Sequence, residues 1–108
     1  MQKKDKISII VPCHNEEEVL PLFLQEVEKV FAVMQEKHGV EMEYLFVDDG
    51  SRDGTLRFLK QASAENPRVN YLSFSRNFGK EAAMFAGLEH ASGDYVVIID
   101  ADLQDPPE

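Results

Sequence analysis

Four short apolar runs alternate with longer stretches in which apolar residues recur every three or four positions. Ile7-Ser8-Ile9-Ile10-Val11 is β-branched and almost wholly apolar, as expected of a strand covered on both faces. Tyr44-Leu45-Phe46-Val47 and Val69-Asn70-Tyr71-Leu72 carry the signal more weakly, and Tyr95-Val96-Val97-Ile98-Ile99 carries it most strongly. Between the first two runs, Val19, Phe23, Val27, Val30, Phe31 and Met34 form one helical stripe, with Glu26, Glu28, Lys29, Gln35, Glu36 and Lys37 occupying much of the rest. Asn15 with Glu18 three residues on has the form of an N-cap and capping box. Gly39 is the expected stop, and Pro21 predicts a separate or kinked first turn. Leu56, Phe58 and Leu59 mark a second helix, entered from Asp53-Gly54-Thr55 and closed before Pro67. A third runs from Lys80 to Ala91, where Ala82, Ala83, Ala86 and Ala91 suit close packing onto a sheet, and Gly93-Asp94 ends it.

The order β-α-β-α-β-α-β predicts an α/β fold, a mostly parallel sheet with right-handed crossovers and helices on both faces. The 108 residues make one domain at most, without internal repeat, low-complexity segment or linker. Asp105-Pro106-Pro107-Glu108 directly follows the strongest strand. Because a sheet rarely ends a domain that way, residues 1–108 are expected to be the N-terminal part of a longer protein.

Eleven Lys and Arg against 20 Asp and Glu leave a net charge of −9, which argues against nucleic-acid binding by counterion release. The single cysteine, Cys13, excludes an internal disulfide. No apolar stretch reaches the ~18–20 residues of a membrane span, and the run after the basic N-terminus is too short for a signal peptide. The segment therefore reads as soluble and cytosolic.

Ligands of open parallel sheets bind beyond the carboxyl ends of the strands. Those ends carry Pro12-Cys13-His14-Asn15-Glu16, Asp48-Asp49-Gly50-Ser51-Arg52-Asp53-Gly54, Ser75-Arg76-Asn77-Phe78-Gly79-Lys80 and Asp100-Ala101-Asp102-Leu103-Gln104-Asp105. Polar and charged residues thus gather at one end of all four strands. Asp100 and Asp102, two apart on an extended segment, can direct both carboxylates to one side, and Gln104 repeats the spacing with an amide oxygen. Mg²⁺ or Mn²⁺ takes such oxygen ligands, completed by phosphate and water. In an isolated chain Asp-x-Asp is more often a solvated turn; here a buried strand precedes it and Asp48-Asp49 join it from a neighbour. A cation there would let an acidic protein hold a phosphorylated ligand.

Asp48 and Asp49 suit hydrogen bonds to ribose hydroxyls or a base N–H, although Asp-Gly-Ser is also ordinary turn chemistry. Arg76 and Lys80 either serve an anion or are plain surface charge, and Glu16 either faces the helix dipole or a nucleotide. Cys13 and His14 point opposite ways on an extended chain and read as structural. No Gly-x-Gly-x-x-Gly follows the first strand, which argues against a dinucleotide site.

Taken together, Ile10-Val11-Pro12-Cys13-His14-Asn15-Glu16, Val47 to Thr55, Arg76-Asn77-Phe78-Gly79-Lys80 and Asp100 to Glu108 resemble family-2 glycosyltransferases of the GT-A fold, in order and over almost the whole chain. The likeness is greatest to the polyprenyl-phosphate branch, the undecaprenyl- and dolichol-phosphate glycosyltransferases. The resemblance implies a Rossmann-like nucleotide-binding half of a GT-A domain. Pro12, Glu16, Asp48 and Asp49 would line the nucleotide pocket, and Arg76 and Lys80 match the family's basic loop. Asp100 and Asp102 would be the Asp-x-Asp pair holding metal and donor diphosphate, with Gln104 as a further ligand. His14 stands where an aromatic residue is frequent.

The implied reaction moves a sugar from a nucleoside diphosphate, a uridine diphosphate sugar first, to a polyprenyl phosphate or related lipid-phosphate acceptor. The parent protein would work at the cytoplasmic face of the membrane. The acceptor site would lie beyond residue 108, leaving this piece inactive alone, and a homo-oligomer is compatible with the sequence. Two other classes compete. A receiver-type signalling module also has paired acids, Mg²⁺ and a Lys, but its acids follow the first strand, not the second. A phosphatase with Asp100 as nucleophile usually has its motif on an early strand, followed by Thr or Val where this chain has Leu103.

Overall fold

The computed structural model describes residues 5–101, so Asp102 and Gln104 lie outside the described residues. Seven elements follow the predicted order: β1 (Lys6–Cys13), α1 (Leu20–His38), β2 (Glu41–Asp48), α2 (Thr55–Glu65), β3 (Val69–Ser73), α3 (Lys80–His90) and β4 (Tyr95–Ile98). All pairings are parallel, in the spatial order β3-β2-β1-β4. The chain starts in the middle of the sheet, builds outward through β2 and β3, and returns to the other side of β1.

Alternation along the strands divides the core between the two faces. Ile9, Val11, Met42, Tyr44 and Phe46 pack with Leu20, Phe23 and Phe31 of α1 and Leu59 and Ala62 of α2. On the opposite face Ile10 and Val47 pack with Ala83 of α3. Small residues are what let α3 approach: a Cβ on Gly87 would lie 2.5 Å from Cγ2 of Ile10. Beside this core, Glu28 of α1 accepts from the Tyr44 hydroxyl at 2.7 Å and pairs with Arg68 at 2.7 Å.

Three local expectations change in the structure. The N-cap of α1 is Val19, without a side-chain cap, and the Glu16 carbonyl accepts from the N–H groups of Val19 and Leu20. Asn15 is not the cap because its amide oxygen is taken by the N–H of Arg52 at 2.8 Å. Pro21 falls in the first turn of α1, where its missing N–H has no intrahelical acceptor to lose. β4, the most apolar run, is exposed on both faces, from 40% at Val96 to 58% at Tyr95. It is the last strand of the described sheet, and between it and α1 runs an apolar groove edged by Val27, Val30, Met34, Val97 and Ile99. Val30, expected on the buried stripe, is exposed there for that reason.

Candidate functional site

The sheet order reverses between β1 and β4, and such a switch point leaves a crevice at the carboxyl ends of the strands. A hollow of about 190 Å³ occupies that place. Pro12, His14 and Glu16 enter it from the end of β1, Asp49 from the end of β2, Lys80 from the start of α3 and Asp100 from the end of β4. It is smaller than the ~300–1,000 Å³ of a full ligand pocket, so it can enclose part of a ligand, and the rest would run out over its rim.

The loops around it are tied together by backbone groups. Asn15 sits in the left-handed region (φ 55°), and its N–H donates to Ser51 Oγ at 2.8 Å. The N–H of Glu16 donates to Thr55 Oγ1 at 2.9 Å, and Glu17 accepts from the N–H of Gly54 at 2.9 Å. Asp53 accepts from both the N–H and the hydroxyl of Thr55, starting α2. The loop after β1 is thus fastened along the loop after β2, leaving the Glu16 side chain at the hollow.

Two adjacent buried acids need partners, and each finds backbone N–H groups. Asp48, 2% exposed, accepts from Ser51 N–H at 3.2 Å and holds its own turn. Asp49, 4% exposed, accepts from the N–H of Phe78 at 2.7 Å and of Gly79 at 3.0 Å. Directly after them Gly50 has φ 70°, and a Cβ there would stand 2.3 Å from the carbonyl carbon of Arg76. Only glycine permits that approach. The segment before α3 is therefore clamped by Asp49 against the end of β2.

His14 Nδ1 lies 2.8 Å from the Asp49 carbonyl oxygen. A carbonyl only accepts, so Nδ1 carries the proton in this contact. The amide nitrogen of Asn77 lies 3.2 and 3.3 Å from the two ring nitrogens. Cys13 donates its thiol to the Val11 carbonyl. Burial, reinforced by the Glu16 and Asp48 carboxylates, pushes that thiol far above its usual pKa, so it is no nucleophile.

Of the residues singled out in the sequence, Pro12, Glu16, Asp49, Lys80 and Asp100 share the hollow. Asp48 is buried and does not line it. Arg76 borders an adjoining hollow that also includes His14, and its guanidinium stacks over the Phe78 ring at 4.9 Å. Asn77, Ser51 and Thr55 sit in the loops singled out in the sequence, but their partners are not legible there, because a hydroxyl or amide in a turn gives no local sign of a partner dozens of residues away.

Among the described residues no group of three or more His, Cys, Asp and Glu is arranged to hold a metal ion. The donor chemistry at Asp100 nonetheless fits a hard cation. Its carboxylate is more than half exposed at the rim and already carries a positive group, Lys80 Nζ, 2.7 Å from Oδ1. Mg²⁺ or Mn²⁺ is commonly held by only one or two carboxylates plus ligand phosphate.

Residues 8–108 match the family model for glycosyl transferase family 2. A bactoprenol glucosyl transferase of Shigella phage SfV is 50% identical over 103 residues, which are 95% of this chain and 32% of that protein. The chain thus spans about a third of the length of that curated relative. S. aureus TarS 1–349, solved with UDP-GlcNAc, superposes with a TM-score of 0.71 at 29% identity, covering 90% of this chain and 26% of that one. The mannosyltransferase PcManGT from Pyrobaculum calidifontis, solved with GDP-Man and Mn²⁺, gives a TM-score of 0.69 at 28% identity, covering 93% and 28%. The fold is that of the GT-A glycosyltransferases. On its sequence from Ser8 onward, the chain belongs to glycosyl transferase family 2.

Proposed function

We propose that the chain is the donor-binding, N-terminal part of a glycosyltransferase that moves a sugar from a nucleoside diphosphate, a uridine diphosphate sugar first, to a polyprenyl phosphate. The observation that carries this is the single hollow at the switch point, where loops from β1, β2, α3 and β4 bring Glu16, Asp49, Lys80 and Asp100 to one rim. Family membership removes the receiver-module and phosphatase readings. The phage relative, a bactoprenol glucosyl transferase, supports the lipid acceptor and a parent protein associated with the membrane; in this reading it works at the cytoplasmic face. No helix among the described residues is long and apolar enough to cross a membrane.

In this reading Pro12, Glu16 and Asp49 border the nucleoside, with Asp48 fixing the turn beneath it. Asp100 and Asp102, with Gln104 as a further ligand, would hold the divalent cation, Mg²⁺ or Mn²⁺, and Lys80 and Arg76 would add positive charge near the diphosphate. The cation, when bound, supplies charge neutralisation for the departing nucleoside diphosphate. An acceptor phosphate oxygen forms the new bond to the anomeric carbon as the bond from that carbon to the donor diphosphate breaks. The fixed charges of this chain stabilise the oxygen that leaves, an electrostatic task.

The test is the melting temperature of the intact protein with UDP-glucose, with and without Mn²⁺. A rise that depends on the cation, and whose cation-dependent part Asp102→Ala abolishes, is the expected result. An equal rise without metal removes the Asp-x-Asp assignment. No rise with either uridine or guanosine diphosphate sugars removes the donor reading.

A further inference from the structure

A second hollow, of about 460 Å³, adjoins the first, and His14 borders both. The two differ in charge. Glu16, Asp49 and Asp100 face the first together with Lys80, whereas no carboxylate lines the second, and Arg52 and Arg76 both do. The chain has 20 Asp and Glu against 11 Lys and Arg, yet among the described residues neither of these arginines is in an ion pair. The acid next to Arg52, Asp53, is committed to the N–H groups of Thr55 and Glu17 and to the Thr55 hydroxyl. Both arginines are anchored. The N–H of Arg52 donates to Asn15 Oδ1, and the Arg76 guanidinium lies over the ring of Phe78, whose N–H is fixed by Asp49. Gly50, lacking a side chain, lets the backbone of Arg76 come against the turn that carries Arg52. Ser51 Oγ, also on the lining, accepts from the Asn15 N–H, which leaves its own proton for another acceptor.

We infer that Arg52 and Arg76 form a binding site for a phosphate monoester or free phosphate, separate from the switch-point hollow, with the Ser51 hydroxyl as a further donor. This goes beyond the function proposed above and stands without it. A phosphate monoester carries about −1.5 to −2 charges at neutral pH and presents three accepting oxygens. A guanidinium meets two such oxygens with parallel N–H bonds, so two arginines can hold one phosphate group from two sides. A neutral base or sugar in the same place leaves both positive charges uncompensated. Because the two hollows share His14, Arg76 contributes its charge to both. The phosphate belongs either to a lipid phosphate or to the free ion, and the two sources share this chemistry.

The experiment is isothermal titration calorimetry on the intact protein without divalent cation. The probes are inorganic phosphate and citronellyl phosphate, a water-soluble prenyl phosphate, each with and without saturating UDP. Arg52→Met and Arg76→Met are each expected to weaken binding about ten-fold or more. Arg57→Met, which removes an equal charge from α2, stays near wild type, and binding persists in the presence of UDP. Citronellyl phosphate binding more tightly than inorganic phosphate, with the same dependence on both arginines, upholds the site and assigns it to a lipid phosphate. Citronellyl phosphate binding no more tightly upholds it as a site for the free ion. Absence of binding by either probe, or binding that neither arginine substitution weakens, overturns the inference. Displacement of both probes by UDP also overturns it, since the hollow then belongs to the nucleotide. Arginine-dependent binding in a protein that no nucleotide sugar stabilises upholds the inference and defeats the donor reading alone.

Discussion

The carboxylate of Asp49 receives the N–H groups of Phe78 and Gly79 while its carbonyl oxygen receives Nδ1 of His14. One residue therefore joins the ends of β1 and β2 to the entry of α3. Asp49→Asn keeps the shape but offers one accepting oxygen and turns an NH₂ group toward an N–H. With 4% exposure no water relieves that mismatch, and a loss of about 2–3 kcal/mol is expected, read as a lower urea midpoint at unchanged slope. That the adjacent acids stand at a strand end was legible in the sequence. Their partners were not, since Phe78 and Gly79 lie 29 and 30 positions away. Asn15 shows the converse: local sequence offered a helix cap, and a tertiary N–H donor from Arg52 took the side chain instead.

At the scale of elements, α3 shows how close packing can oppose helix propensity. Ala is preferred over Gly inside a helix by about 1 kcal/mol, yet the Cβ of Gly87→Ala would meet Cγ2 of Ile10 at 2.5 Å. Ile10 is fully buried between strand neighbours and cannot yield. The substitution is expected to cost about 1–3 kcal/mol net, measured by thermal or urea unfolding. Element order was readable because strand runs and helical stripes are local, and Lys80 and Gly39 mark the bounds of α3 and α1 where expected. The exposure of β4 and Val30 was not readable. An apolar side chain shows that it favours cover, while its position in the sheet decides whether cover is there.

Across the whole molecule, Glu43 holds the side of the sheet away from the hollow. It accepts from the Ser8 hydroxyl at 2.5 Å and from the N–H and hydroxyl of Ser92 at 3.0 Å, and Lys6 stands 3.4 Å away. Burial pushes its carboxyl up, but the Ser8 and Ser92 donors and the Lys6 ammonium outweigh this and hold it below the usual 4.5. A lowered folded-state value means stability that is present above the unfolded pKa and lost as pH falls through the folded one. Glu43→Gln is therefore expected to unfold more easily than wild type at pH 6–7. The gap should narrow below about pH 4.5, as read by urea denaturation across that range. That alternation and strand ends located the hollow, while the bonds that close it were hidden, follows from one difference: periodicity is written along the chain, and closure is written between distant turns.

β4 presents Tyr95, Val96, Val97 and Ile98 bare on both faces and pairs only with β1 among the described residues. A border left open in this way among the described residues is a template on which like segments stack. Residues 1–108 produced by themselves are therefore expected to aggregate through Tyr95–Ile98, and Val96→Lys is expected to slow that, as read by thioflavin fluorescence.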